Sequence, residues 1–190
     1  MPPPASTTTG EAGEDRDLMR RAQAGDEAAF GALMHRWERP VKALLARLVF
    51  NTRDADELAQ EAFVRVWQHR AKFRPDAEFR PWLFSIAVNL ARNRLRWWRS
   101  RPEVSLAEWD GGAARGDNGL AAAESNERAQ AVQTAIARLS AEQREALVLF
   151  AYEQMSQAEI AATLGATVKA VENRIARARV RLRGDLAGWL

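Results

Sequence analysis

The residues best suited to do chemistry lie near the C-terminus of the 190-residue chain, in SQAEIAATLGATVKAVENRIARARVRLR, residues 156–183. From residue 167 to residue 183, six basic side chains stand against one acidic side chain. The basic residues are Lys169, Arg174, Arg177, Arg179, Arg181 and Arg183. Such side chains can pair with phosphates and hydrogen-bond to the edges of bases in duplex DNA. The segment is therefore predicted to bind DNA, and a solvated basic helix is the alternative.

The residues around this cluster predict a helix-turn-helix. Ser156 with Glu159 three positions later is typical of a capped helix start, and Gly165 can take the left-handed conformation that ends a helix. Thr167 can cap a second helix. The apolar line that would anchor this helix is Val171, Ile175, Ala178 and Leu182. In such motifs the first turns of the second helix reach the base edges. The candidate base contacts are Lys169, Ala170, Glu172, Asn173, Arg174 and Arg177.

A second basic cluster, NLARNRLRWWRSR at residues 89–101, contains five arginines and no acidic residue. Trp97 and Trp98 lie among the arginines. Bases of an unpaired strand stack on aromatic rings while arginines follow the phosphates, so the cluster is suited to melted or single-stranded nucleic acid. The alternative is a helix end with two tryptophans in the core.

An acidic cluster opens the segment DADELAQEAF, with Asp54, Asp56, Glu57 and Glu61 close together. Acidic residues at a helix N-terminus can simply complement the helix dipole. They can also form a docking surface for a basic protein. The spacing of Asp54 and Glu57 predicts a capping box.

The elements that must position these clusters are predicted to be helices, because helix-forming residues dominate and apolar residues recur at helical spacing. We predict an all-α fold of two small helical domains, residues 15–101 and 125–190, with the helix-turn-helix in the second. Residues 102–124 hold four glycines and are predicted to be a flexible linker. Residues 1–14 are rich in Pro, Thr and Gly and are predicted to be a disordered tail.

Several function classes are disfavoured. The chain has no cysteine and only two histidines, His35 and His69, so we expect no metal site and no cofactor. It lacks a glycine-rich phosphate loop and a Ser-His-Asp set, so we expect no enzyme activity, such as that of a helical nucleic-acid hydrolase. No run of about 18 apolar residues and no secretory signal occur, so we expect no membrane insertion and a cytoplasmic location.

Taken together, the segments resemble bacterial RNA polymerase sigma factors of the extracytoplasmic function group, over about residues 15–186. DADELAQEAFVRVWQ resembles the family's core-polymerase-binding helix. FRPWLFSIAVNLARNRLR resembles its promoter −10 segment, and the C-terminal segment resembles its −35 reader. Three motifs in the family's order are more specific than any one of them.

The resemblance implies a function and a set of site residues. The chain would bind core RNA polymerase and promoter DNA, recognise the −35 and −10 elements, and help to melt the −10 region. The residues implied in core binding are Asp54, Asp56, Glu57, Gln60, Glu61, Arg65 and Trp67. Those implied in −10 binding are Asp76, Glu78, Phe79, Trp82, Asn89, Arg92, Asn93 and Arg96. The candidate base contacts of the helix-turn-helix would read the −35 element.

One further expectation follows from the resemblance. Family members are often held inactive by an anti-sigma factor, so such a partner is expected here.

The main alternative is a two-domain helix-turn-helix regulator that does not bind core polymerase. Such a regulator would bind its DNA site alone, and it would leave the acidic and −10-like segments unexplained.

Overall fold

The computed structural model describes residues 8–100 and 120–189, and the predictions for residues 1–7 and 101–119 lie outside the described residues. The N-terminal domain consists of α1 (Thr8–Gln23), α2 (Glu27–Val49), α3 (Thr52–His69) and α4 (Phe79–Arg99). The C-terminal domain consists of α5 (Leu120–Ala137), α6 (Ala141–Ala151), α7 (Gln157–Leu164) and α8 (Val168–Asp185). Short 3₁₀ turns follow α3 and α8, at Arg70–Lys72 and Ala187–Trp189. No strand occurs in these ranges, which confirms the all-α prediction.

Two predicted boundaries are wrong. Helix α1 begins at Thr8, so residues 8–14 are not part of a disordered tail. Within it, Glu14 and the buried Asp15 each accept a 2.7 Å hydrogen bond from Arg36 of α2. Arg36 lies 21 positions from Asp15 and 22 positions from Glu14 in the sequence, so local composition could not predict this pairing. Helix α5 begins at Leu120, so the last five positions of the predicted linker are helical.

Local capping explains most helix ends. The side chains of Asp26, Ser140, Ser156 and Thr167 each accept a hydrogen bond from a backbone N–H three residues later. The capping box predicted at Asp54 is wrong, because α3 is capped by Asn51, whose side chain accepts from the Asp54 N–H. An Asn in extended backbone just before the helix satisfies that otherwise unpaired donor.

The two domains pack directly against each other. Helix α6 packs on α2, and α7 packs on α4. Most of the buried apolar residues of the two domains form one cluster, which runs from Leu44 and Leu83 to Leu149 and Ile160, and a smaller cluster lies within the C-terminal domain. The close association of the two domains was not indicated by the sequence, in which they are separated by a glycine-rich stretch.

Within residues 8–100 and 120–189, no helix combines the length and apolar character needed to cross a bilayer. Among the same residues, no group of three or more acidic or histidine side chains converges in a way that could hold a metal ion.

Candidate polymerase and nucleic-acid interfaces

The predicted helix-turn-helix is formed by α7 and α8. The Ser156 Oγ accepts a hydrogen bond from the Glu159 N–H at 3.2 Å, and Glu159 accepts one in return from the Ser156 N–H at 2.7 Å. Gly165 ends α7 with a φ of 62°, in the left-handed region that favours glycine. Thr167 then caps α8 by accepting from the Ala170 N–H at 3.1 Å. These local bonds produce a very short turn between the two helices.

One face of α8 is buried and the other is exposed. Val171, Ile175 and Ala178 are buried, as their spacing predicted. Four of the predicted base contacts have exposed side chains, Lys169, Glu172, Asn173 and Arg177. Ala170 is half-buried. The exposed face therefore carries the positive charge outward, in the arrangement that major-groove recognition requires.

Two predicted base contacts on α8 are engaged with acidic side chains. The Arg174 guanidinium lies 3.1 Å from Glu142 of α6, and its side chain is 23% exposed. The Lys169 Nζ lies 2.8 Å from Glu172, one turn along the same exposed surface. Both members of the second pair are at the surface, where ion pairs are weak and exchange readily with a competing phosphate. Arg177 is exposed on the same face, whereas Arg174 is half-buried against the largely exposed Glu142.

The predicted −10 residues on α4 are divided between surface and interior. Asn89, Asn93 and Arg96 are exposed at positions three or four apart, so they share one face of the helix. The side chain of Arg92 lies on the same side of α4 but is bonded to Glu145 of α6, at 2.8 Å and 2.6 Å. This bond raises the pKa of the Arg92 guanidinium further above its usual range.

Phe79 is not available to nucleic acid, and its assignment as a −10 contact is corrected. Its side chain is 1% exposed and lies among the rings of Trp37, Phe73 and Trp82, with centroids about 6 Å apart. Aromatic packing of this kind fixes the start of α4 on the domain core. Asp76 and Glu78 are exposed just before α4, and Trp82 is half-buried.

Most side chains of the acidic cluster of α3 are exposed at the protein surface. Asp56, Glu57, Gln60 and Glu61 are exposed. Arg65 is half-buried and bonds to Glu61 at 2.8 Å. Lys42 of α2 lies 3.3 Å from Asp56, so this carboxylate has a basic neighbour that a partner must replace or share. Trp67 is half-buried, with its ring 4.9 Å from the ring of Phe30.

Asp54 is the exception in this cluster, and its assignment to the docking surface is corrected. It is 6% exposed and accepts a hydrogen bond from Arg94 of α4. A buried carboxylate needs a charged or hydrogen-bonding partner within the fold, so Asp54 connects α3 to α4 instead of facing a second protein.

Sequence reasoning missed Arg144 and Glu145, which lie at the contact between the domains. Both are buried on α6. Arg144 donates to the carbonyl oxygens of Ile136, Ala137 and Leu139 in its own domain, and to that of Leu48 in α2. The available signal was the run ALVLF beside them, since a helix that is apolar on all sides is buried on more than one side.

Comparison with known proteins identifies both domains. Residues 33–101 match the family model described as Sigma-70 region 2, and residues 129–182 match Sigma-70, region 4. The chain is 37% identical over 176 residues to the RNA polymerase sigma factor CnrH of Cupriavidus metallidurans, covering 88% of this chain and 92% of that protein. It is 35% identical over 173 residues to the ECF RNA polymerase sigma-E factor of Escherichia coli strain K12, covering 87% and 90% of the two chains.

A solved structure agrees with these matches. The structure of CnrH in complex with the cytosolic domain of CnrY superposes with a TM-score of 0.71 at 33% identity, covering 92% of this chain and 98% of that one. The region 2 match includes the acidic and −10-like segments, which a helix-turn-helix regulator without polymerase contact leaves unexplained. The chain therefore belongs to the extracytoplasmic function sigma factors of the sigma-70 family, and it is a sigma factor that directs promoter-specific transcription.

Proposed function

We propose that three separate surfaces of this chain carry out initiation. The acidic surface of α3, formed by Asp56, Glu57, Gln60 and Glu61, docks on core RNA polymerase. The exposed face of α4, formed by Asn89, Asn93 and Arg96 together with Arg92, holds the melted −10 strand. The exposed face of α8 reads the −35 duplex. On this proposal the protein works in the cytoplasm, where RNA polymerase and promoter DNA are found.

The assignment of a different function to each of these three surfaces rests on the charges that α3, α4 and α8 expose. Helix α8 presents Lys169 and Arg177 on a face whose opposite side is anchored in the core. Helix α4 presents two asparagines and Arg96 on one face, which suits a strand whose phosphates and bases must both be held. Helix α3 presents carboxylates, which suit a basic protein surface and repel DNA.

An anti-sigma factor is proposed as a partner on the same grounds. CnrH, the relative of known structure, is described in complex with the cytosolic domain of CnrY. We infer that a protein of that kind covers the polymerase-binding or DNA-binding surfaces of this chain. A true anti-sigma partner would compete with core polymerase for the purified chain, and one that binds without displacing core would contradict the proposal.

The proposed function is tested by reconstitution. Purified chain is mixed with bacterial core RNA polymerase and a pool of genomic promoter fragments, and the transcripts are sequenced. The expected result is co-elution with core and transcription from a defined subset of promoters, with only weak promoter binding by the chain alone. A chain that neither binds core nor supports transcription from any fragment would show the proposal to be wrong.

A further inference from the structure

The two domains are joined by a bidentate ion pair between Arg92 of α4 and Glu145 of α6. The Arg92 Nε donates to Glu145 Oε1 at 2.8 Å, and Nη2 donates to Oε2 at 2.6 Å. The third nitrogen, Nη1, lies 3.3 Å from Asn89 Oδ1 on the exposed face of α4. This parallel two-bond arrangement is among the strongest polar contacts that proteins form.

The two partners differ in their exposure. Glu145 is 5% exposed, and about a third of the Arg92 side chain reaches solvent. Glu145 is thus held on the buried side of the interface, and Arg92 lies at its edge next to the strand-binding face. A guanidinium that left this carboxylate for another anion while the domains stayed closed would leave Glu145 buried without its charged partner, which is costly, so the exchange is favoured when the domains separate.

The same interface contains other arginines that bond across it. Arg144 donates to the Leu48 carbonyl oxygen at 3.2 Å, and Arg80 donates to the carbonyl oxygen of Glu153. Arg47 lies 3.7 Å from the Glu153 carboxylate, and its guanidinium lies 4.4 Å from the centre of the Tyr152 ring. Of these contacts, only the Arg92–Glu145 pair uses a residue that is also assigned to the strand.

We propose that the Arg92–Glu145 pair is an autoinhibitory latch. Glu145 occupies the guanidinium that would otherwise hold a phosphate of the −10 strand, and the same bonds keep the two domains closed. The carboxylate thereby takes the place of the phosphate. This inference rests on the proposed function of α4, and it adds a regulatory state of that site.

The physical basis is competition for one hydrogen-bonding fork. A carboxylate and a phosphodiester both accept the two parallel N–H bonds of an arginine, and they cannot do so together. Closure and strand binding are therefore negatively coupled. By linkage, whatever weakens closure must strengthen strand binding, and strand binding must in turn favour the open state.

The latch is tested with fluorescence energy transfer in the full chain. Because the chain has no cysteine of its own, Ala28→Cys on α2 and Val180→Cys on α8 place two dyes at exposed positions. Strand affinity is measured separately by anisotropy, with a fluorescein-labelled single-stranded DNA of mixed sequence. Mixed sequence suffices because the contact made by Arg92 would be to a phosphate.

Three variants are compared with the wild-type chain in both measurements. Glu145→Gln should lower the transfer efficiency and strengthen strand binding about fivefold. Glu127→Gln is the matched control, because Glu127 is an exposed glutamate of the same domain and lies on α5. It should leave both readings unchanged. The exchange Arg92→Glu with Glu145→Arg should restore closure without the gain in strand affinity.

The outcomes separate the latch from the proposed function. The latch is overturned if Glu145→Gln leaves the transfer efficiency unchanged, or if it lowers the transfer efficiency without strengthening strand binding. It is also overturned if the exchanged pair has a transfer efficiency as low as that of Glu145→Gln. Added strand should also shift the wild-type chain toward low transfer, and its absence would overturn the coupling. If the variants behave as expected but the chain supports no transcription with core polymerase, the latch stands and the proposed function fails.

Discussion

Arg94 on α4 donates a hydrogen bond to the buried carboxylate of Asp54 on α3, and a second of its nitrogens lies 3.4 Å from Glu57. The two residues that hold this contact are 40 positions apart in the chain. Since α3 carries the proposed polymerase surface and α4 the proposed strand surface, this pair sets the orientation of one surface relative to the other.

Arg94→Ala is expected to destabilise the protein, because it removes the charged partner of a buried carboxylate. The expected loss in free energy of unfolding is about 1–3 kcal/mol, measured by urea denaturation. Arg53→Ala is the control, since Arg53 is 86% exposed and lies 3.4 Å from Glu57. An exposed ion pair contributes little, so a control as destabilising as Arg94→Ala would contradict the importance of the buried contact.

Arg177→Ala should weaken −35-dependent initiation and leave core binding unchanged. If Arg177 makes a bidentate contact with guanine, the loss is about 1–3 kcal/mol of discrimination. Initiation is measured on one promoter with intact and altered −35 elements, and core binding by fluorescence anisotropy. Arg181→Ala, farther along the exposed side of α8, should have a smaller effect on sequence discrimination. Equal losses of initiation and core affinity in Arg177→Ala would rule out this role.

Asp56→Arg should reduce the affinity for core polymerase, because it reverses one of the exposed charges of the proposed acidic surface. It also brings a second positive charge close to Lys42, which lies 3.3 Å from the Asp56 carboxylate. Asp17→Arg on α1 is the matched control, since Asp17 is an exposed aspartate outside this surface. Binding of −35 duplex by the C-terminal domain should not change in either variant. Unaltered core affinity in Asp56→Arg would count against the docking surface.

Stability should depend on pH through Glu153, whose pKa is raised by burial at the domain interface. Arg47 and Arg80 oppose this effect but do not cancel it. A carboxyl that holds its proton more tightly when folded contributes stability at low pH, and that contribution falls as pH rises through its folded pKa. Glu153→Gln removes the cost of burying the charge. Its melting temperature, compared with the wild type, should therefore improve from about pH 4 upward. A difference that is constant with pH would contradict the burial effect.

The helices and their ends were largely predictable from the sequence. Ser140, Ser156, Thr167 and Gly165 act on backbone groups within five residues, so the information needed to recognise them is local. The apolar line of α8 was also largely correct: Val171, Ile175 and Ala178 are buried and Leu182 is partly buried, because a buried helix face repeats with the period of the helix. Asp54 was wrongly taken as a cap because Asn51, three residues earlier, competes for the same role.

The sequence by itself determined which segments are helical, where most of them begin and end, and which of them carry positive or negative charge. Only the tertiary structure decided which charged side chains are available. Arg92, Arg94 and Arg174 belong to basic clusters that look uniform in the sequence, yet each is paired with an acidic side chain 32 to 53 positions away. Phe79 and Asp54 are likewise buried because of the way the helices pack in the tertiary structure. Capping and periodicity depend on neighbours along the chain, whereas burial and ion pairing depend on which helices pack together.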